Sequence, residues 1–267
     1  MFGRVLALCA LLINVGATGP EIRPPTDKWT VEFADHDCIL SRPYERTMKD
    51  SLILSFKKLP MEPGIDVYVF KYRGSSEIKD GKAQLDFGSG KPNEMRFIAY
   101  PTLSGMRMIS LRVEDDSYKA AIQSGQIGVS IPREVHETFA VPGLGPALKL
   151  LDQCALNLGE LWGIPKEQQL RVEVPAKLDM HRLFSSSDYP NSAIRKEASG
   201  RTVLRVTVDE AGKPLDCVIL KSSGEKSLDT RSCTVLMSRA QYRPAQDAEG
   251  KPIRSVTVTV IDWMLML

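Results

Sequence analysis

Long apolar runs are scarce in this chain, and that scarcity sets its first limit. The longest nearly continuous one, Val5 to Val15, falls well short of the ~20 residues an α-helix needs to cross a bilayer. Charge of one sign is also missing. The 35 Lys and Arg stand against 33 Asp and Glu, a net +2 over 267 residues. That is too even to imply a nucleic-acid or anionic-membrane partner, and the charges are spread as solvated faces are. The motifs of common catalysis are absent too. There is no G-x-S-x-G, no H-E-x-x-H and no Walker A sequence, so no nucleophile elbow, zincin helix or phosphate loop is indicated. Without a C-x-x-C or a close histidine pair, a zinc site lacks its usual spacing. The one mixed cluster, Asp35-His36-Asp37-Cys38, reads as a strand end with an acidic turn. His136 and His181 stand apart from it. No internal repeat and no Pro-rich or low-complexity spacer is visible.

What is present begins with a secretory signature. Arg4 supplies a positive start, Val5 to Val15 an apolar stretch, and Val15-Gly16-Ala17 small residues for cleavage. Residues 1–17 are therefore expected to be a signal peptide; the alternative is a buried N-terminal helix. Cleavage would remove Cys9 and leave Cys38, Cys154, Cys217 and Cys233. An even number in an exported chain points to disulfides. Three pairings are open, and spacing favours Cys217 with Cys233 as a local bridge and Cys38 with Cys154 as a long one. A loop of about 17 residues is worth roughly 3 kcal/mol in the chain-entropy picture. Four separate buried thiols are the alternative.

With 43% hydrophobic residues the chain can bury a real core, in one or two domains. A polar lead-in is expected over 18–28, and an N-terminal α+β domain, mostly antiparallel, over 29–165. Trp29, Val31 and Phe33 alternate with polar neighbours, and 51–56, 66–72, 95–100 and 106–113 are further strand candidates. Pro63-Gly64, Lys79-Asp80-Gly81 and Lys91-Pro92-Asn93 read as turns between them. Residues 116–123 could form a short helix. From Pro146 to Trp162 the residues Leu148, Leu151, Ala155, Leu158 and Trp162 recur at helical spacing. Gly143 and Gly145 read as the turn before that helix, and Ser185-Ser186-Ser187 as linker. A linker is placed at 166–180.

The remaining segment, 181–267, has the clearest local grammar. A short helix starts at Pro190 and is expected to end at Gly200. Residues 202–208 alternate as a strand, Glu210-Ala211-Gly212-Lys213 turns, and 215–221 returns. Ser227 is a candidate cap for a helix reaching Arg239, with Asp229 in its first turn. Glu249-Gly250-Lys251-Pro252 leads into a last strand, 253–261. The order is α-β-β-α-β.

Tyr189-Pro190, Ala193, Gly200, Gly212, Ser222-Ser223-Gly224, Leu228-Asp229, Tyr242-Arg243-Pro244-Ala245 and Gly250-Lys251-Pro252 follow one another in order. This series resembles the TonB C-terminal domain family, over about a third of the chain. Cys217 and Cys233 look like a disulfide-bearing variant of that domain. The resemblance implies a three-stranded antiparallel sheet packed by helices on one side. It also implies a periplasmic, non-catalytic domain of the Gram-negative envelope that captures an extended segment of an outer-membrane transporter, or of another envelope protein, at the edge of its last strand. The strand would be Ile253, Arg254, Ser255, Val256, Thr257, Val258, Thr259, Val260 and Ile261, with Arg254, Thr257 and Thr259 adjusting specificity. The alternative is that this strand is already paired, by the N-terminal domain or by the apolar tail 262–267, which must be buried or form an interface. No cofactor or metal is expected. A TonB protein also has a membrane anchor and a long Pro-rich spacer, which are not recognised here, so energy transduction is in doubt. Membrane association would come only through partners or an uncleaved signal. An envelope scaffold or homodimer is the second functional expectation.

Overall fold

A computed structural model describes residues 21–265 of the protein, apart from 34–36, 46, 48–49, 62–63, 73, 103 and 181–182. The expected signal peptide, His36, His181 and the last two residues of the tail lie outside the described residues.

Among the described residues, ten strands build the N-terminal sheet. They are β1 (Ile22–Arg23), β2 (Thr30–Phe33), β3 (Cys38–Glu45), β4 (Ser51–Lys58), β5 (Ile65–Tyr72), β6 (Lys79–Asp86), β7 (Asn93–Pro101), β8 (Met106–Val113), β9 (Gln126–Ile131) and β10 (Val135–Ala140). Their spatial order is β1-β10-β9-β6-β7-β8-β5-β4-β3-β2. Every pairing is antiparallel except β1 with β10, so the α+β, mostly antiparallel expectation is met. Ile22 and Arg23, read as lead-in from sequence, belong to this sheet. The sheet rolls so that its ends meet. The Tyr44 hydroxyl donates to the Ala140 carbonyl at 2.7 Å, Arg42 Nη1 donates to the Pro142 carbonyl at 2.6 Å, and the Tyr44 and Phe139 rings stand 4.9 Å apart. Inside lie alternating side chains such as Leu40, Leu54, Phe56, Val67, Leu85, Ile109, Leu111 and Ile127, the period-two pattern of a sheet with one buried face.

Lys79-Asp80-Gly81 corrects one expectation. It opens β6 rather than a turn, and Gly81 sits opposite Phe97, whose ring carbon would stand 3.2 Å from a Cβ there. The glycine makes room for a ring, not for a bend. Helix α1 (Ala120–Ser124) follows a single 3-10 turn, and α2 (Leu144–Leu161) starts after Gly143, whose φ is +74°. The helix lays Leu144, Leu148, Leu151, Cys154 and Leu158 onto the sheet, and the Cys38–Cys154 disulfide fixes it to β3. Helix α3 (Lys166–Arg171) ends this part.

Two buried charge clusters hold the roll. Arg23, 2% exposed, bonds Glu137 at 2.5 and 3.0 Å and Asp50 at 3.1 and 3.2 Å. Arg107 forks onto Glu134 with two bonds of 2.9 Å, and Lys71 joins at 3.0 Å. Burial pushes the Glu134 carboxyl up, but the hydrogen bonds from Arg107 and Lys71 outweigh it and hold it at about 2. Asp188, bonded by Arg239 at 2.9 Å and by Ser185, is likewise held at about 2. Both folded values lie below the ordinary 4.5 and 3.8. The unfolded chain therefore takes up the protons first as pH falls, and these groups stabilise fully only above the ordinary carboxylate range. Urea midpoints should fall steadily from pH 5 to pH 2, and Glu134→Gln should flatten that slope while lowering the neutral-pH midpoint. An unchanged slope in the variant would remove Glu134 from the account.

Beyond the connecting strand β11 (Lys177–Leu178) lies the C-terminal module. It contains α4 (Asn191–Arg195), β12 (Gly200–Val208), β13 (Pro214–Lys221), α5 (Lys226–Arg239), β14 (Tyr242–Arg243), β15 (Ala245–Gln246), β16 (Pro252–Ile253) and β17 (Ser255–Trp263). The main sheet is three-stranded and antiparallel, ordered β13-β12-β17. Cys217 of β13 is bridged to Cys233 of α5.

Three local readings change. The left-handed residue after α4 is Glu197, with φ +50°, not Gly200. Gly200 instead starts β12, where a Cβ would come within 2.3 Å of the Ser223 carbonyl oxygen. The cap of α5 is Glu225, whose side chain accepts from the Ser227 amide. Ser185 closes a capping box with Asp188 instead of serving as plain linker.

Candidate protein-binding edge

The candidate strand is the final one. Its register against β12 places Val206 opposite Thr257 and Leu204 opposite Thr259. Ile253 and Arg254 fall outside it. Ile253 pairs with Ala245 in the small β15–β16 ladder, and Arg254 is an exposed link between the two strands. The other seven expected residues, 255–261, lie within β17, which runs on to Trp263.

Parity assigns the two faces of β17. Ser255, Thr257, Thr259, Ile261 and Trp263 share a face with Leu204, Val206 and Val208 and look toward α5. The Tyr242 hydroxyl lies 3.5 Å from the Thr259 hydroxyl. Trp263 donates its indole N–H to Ser232 Oγ at 2.9 Å and meets Phe184 and Tyr189 edge-on. The start of the apolar tail is thus buried inside the module. Val256, Val258 and Val260 point the other way, with Val203. Val203 and Val258 belong to the core of the ten-stranded sheet, and Val260 and Leu220 pack against it. Arg205 Nη1 donates to the Trp162 carbonyl at 3.1 Å. The module therefore lies with one sheet face on its helices and the other on the N-terminal region.

Along its edges the sheet is asymmetric. Among the described residues β17 has one ladder partner, β12, yet residues 255–259 are all buried. A groove of about 240 Å³ runs beside Thr257, Val258, Thr259 and Val260, walled by Arg112 of β8, Tyr242, and Ala176, Lys177, Leu178 and Met180 of the connecting segment. The opposite edge, β13, has no second ladder partner among the described residues, with Leu215, Val218 and Ile219 each roughly 40% exposed. Thr257 and Thr259, expected at an exposed edge, lie in the interior. Both faces of β17 are covered, where an exposed edge was expected. The signal of this was available, because Ser255 to Ile261 carries small or apolar residues at every position, which is how a strand buried on both faces reads.

The expected series of residues turns out to be a set of joints. Asp229 accepts from Thr202 Oγ1 at 3.0 Å, Ser222 Oγ at 2.5 Å and the Ser223 amide at 2.8 Å. Burial raises its carboxyl, and the bonds from Ser222 and Ser223 more than reverse that, leaving it below the ordinary value. Tyr189 donates to the Ala198 carbonyl at 2.5 Å. The Tyr242 amide donates to the Gly212 carbonyl at 2.8 Å, and with φ +81° a Cβ on Gly212 would stand 1.9 Å from the Tyr242 carbonyl oxygen. Gly250, φ +76°, donates to the Asp247 carbonyl in the turn before β16.

Residues 185–265 match the family model described as Gram-negative bacterial TonB protein C-terminal. They form a TonB C-terminal domain. No curated protein matches the chain. TonB C-terminal domains are protein-interaction domains of the Gram-negative envelope. In this one the family series sits at turns, caps and close approaches, around a sheet that includes both candidate edges. Among the described residues no group of three or more His, Cys, Asp or Glu could hold a metal, and no helix is long and apolar enough to cross a membrane. His136 pairs with Ser130, its Nδ1 2.9 Å from the serine oxygen, on the exposed surface of β9 and β10.

Proposed function

We propose that the TonB C-terminal domain of this protein is a non-catalytic docking module of the periplasm. It would bind an extended segment of an outer-membrane transporter, or of another envelope protein, by strand addition along the outer edge of β17, in support of TonB-dependent transport. The observation that carries this reading is that, among the described residues, β17 is laddered on one side only. A strand with one partner directs every second N–H and C=O outward, where an incoming chain can pair with them. Thr and Val suit such a pleated surface. Binding would rest on backbone pairing.

The test is an amide-resolved NMR titration of the full chain with N-terminal segments of outer-membrane transporters. The whole chain is needed because Val203, Val258 and Val260 are covered by the N-terminal region. Shifts should concentrate on residues 255–261. N-methylating alternate amides of the bound segment should weaken it roughly three- to tenfold per blocked bond. A proline at Thr257 is a poorer probe, because that residue is buried. Absence of shifts along β17 in the folded protein would defeat strand addition there and leave the envelope-scaffold reading, for which the β13 edge offers the surface.

A further inference from the structure

We infer that the connecting segment 173–180 is a displaceable strap that keeps the β17 edge closed, so that an arriving strand must exchange with it. The inference deepens the docking reading above and rests on it for the identity of the competitor.

An edge strand ordinarily shows at least part of itself to water. Residues 255–259 do not, although β17 has only β12 as ladder partner among the described residues. On the outer side, Ala176, Lys177, Leu178 and Met180 of the strap, with Arg112 and Tyr242, wall the groove beside Thr257 to Val260. The strap does not extend the main sheet. Its own ladder runs to Tyr242 and Arg243 through β11 and β14. The outward side of β17 thus faces this groove with no second ladder partner among the described residues, an arrangement that a pairing strand would improve on.

The strap is also lightly fastened. Val174 exchanges two backbone bonds with Gln246, of 3.0 and 2.8 Å, and the Glu173 amide adds one of 2.9 Å to the same carbonyl. Lys177 meets Glu114 at 3.5 Å with both side chains more than half exposed, a pair worth little. Of its side chains Ala176 is buried and Leu178 packs against the module's core, while Val174 and Met180 are over 40% exposed. Segments with few buried apolar contacts open locally at low cost. The groove itself, about 240 Å³, is smaller than the roughly 300–1,000 Å³ of ordinary small-ligand sites. A strand of several residues enters only if the strap leaves.

Hydrogen exchange on the full chain tests this directly. Val174→Pro removes the Val174 amide that bonds Gln246, and Leu178→Ala trims the packing while sparing the backbone. Exchange of the outward amides in 255–261 should accelerate at least tenfold in Val174→Pro and less in Leu178→Ala, with amides of 202–207 unchanged. The same variants should bind a transporter N-terminal peptide severalfold more tightly than the parent. Unchanged exchange in 255–261, or equal peptide affinity in all three proteins, overturns the strap. Accelerated exchange with no peptide binding to any of the three keeps the strap and defeats the docking reading, so the two failures are told apart.

Discussion

Replacing Cys38 and Cys154 together by alanine is expected to lower the unfolding free energy by about 4–5 kcal/mol. The two residues are 116 apart in sequence, and a closed loop of that size removes roughly this much from the unfolded chain's freedom in the chain-entropy picture. Both cysteines are buried, joining α2 to β3 where the rolled sheet turns back toward β10. Nothing in the covalent chain otherwise holds that helix to the first strands. The Cys217–Cys233 bridge spans 16 residues and should contribute less, about 3 kcal/mol. Urea denaturation of the two double-alanine variants ranks them. If the short bridge proves the larger contributor, loop size is not what sets these stabilities. A further sign of the long bridge would be loss of near-UV ellipticity from Trp29, which packs near Phe56 with ring centres 5.9 Å apart.

The second large effect concerns Asp229. Asp229→Ala strands three donors, on Thr202, Ser222 and Ser223, in a site where Asp229 is only 5% exposed. An unpartnered buried donor costs about 1–3 kcal/mol, so a loss of about 3–4 kcal/mol is expected after partial relaxation. Asp229→Asn keeps an acceptor for the Ser223 amide and Thr202 and should lose about half as much. Thermal melts read the effect, and the far-UV signal of the ten-stranded sheet should persist if the module yields first. Equal stability of the alanine variant would mean that water replaces the carboxylate, contrary to its burial.

Asp229 also shows what a sequence can disclose. Ser222-Ser223-Gly224 with Leu228-Asp229 was legible as a family signature, and the structure gives it a physical role as one polar joint tying β12, the end of β13 and the start of α5. The three-stranded sheet, its helix on one face and the Cys217–Cys233 pair were legible because local spacing encodes them, and the distant Cys38–Cys154 pair followed from the count of four once the short one was drawn. Long-range matters were not. Gly81 looks like a turn residue until Phe97 is seen across from it. Val258 and Val260 look like one face of an edge strand until the N-terminal sheet is found over them. Of the candidate site, the strand was readable. Its occupancy was not, because the strap and the covering sheet are separated from it by some 80 to 200 residues, and no period in β17 records who its neighbours are.

The seam of the rolled sheet bears on the order in which the protein can form. Arg23 meets Glu137 across 114 residues, and Tyr44 meets Ala140 across 96. A chain that emerges N-terminus first must carry β1 to β5 with their inner faces unmatched until β9 and β10 arrive. Such distant pairings are slow and leave apolar strands available to neighbours in the meantime. Helix α2 arrives immediately after β10 and brings Cys154 to Cys38, so the oxidation that locks the barrel-like roll can occur only at the end of its assembly. The thiol of Cys38 must wait, unpaired, for most of that interval.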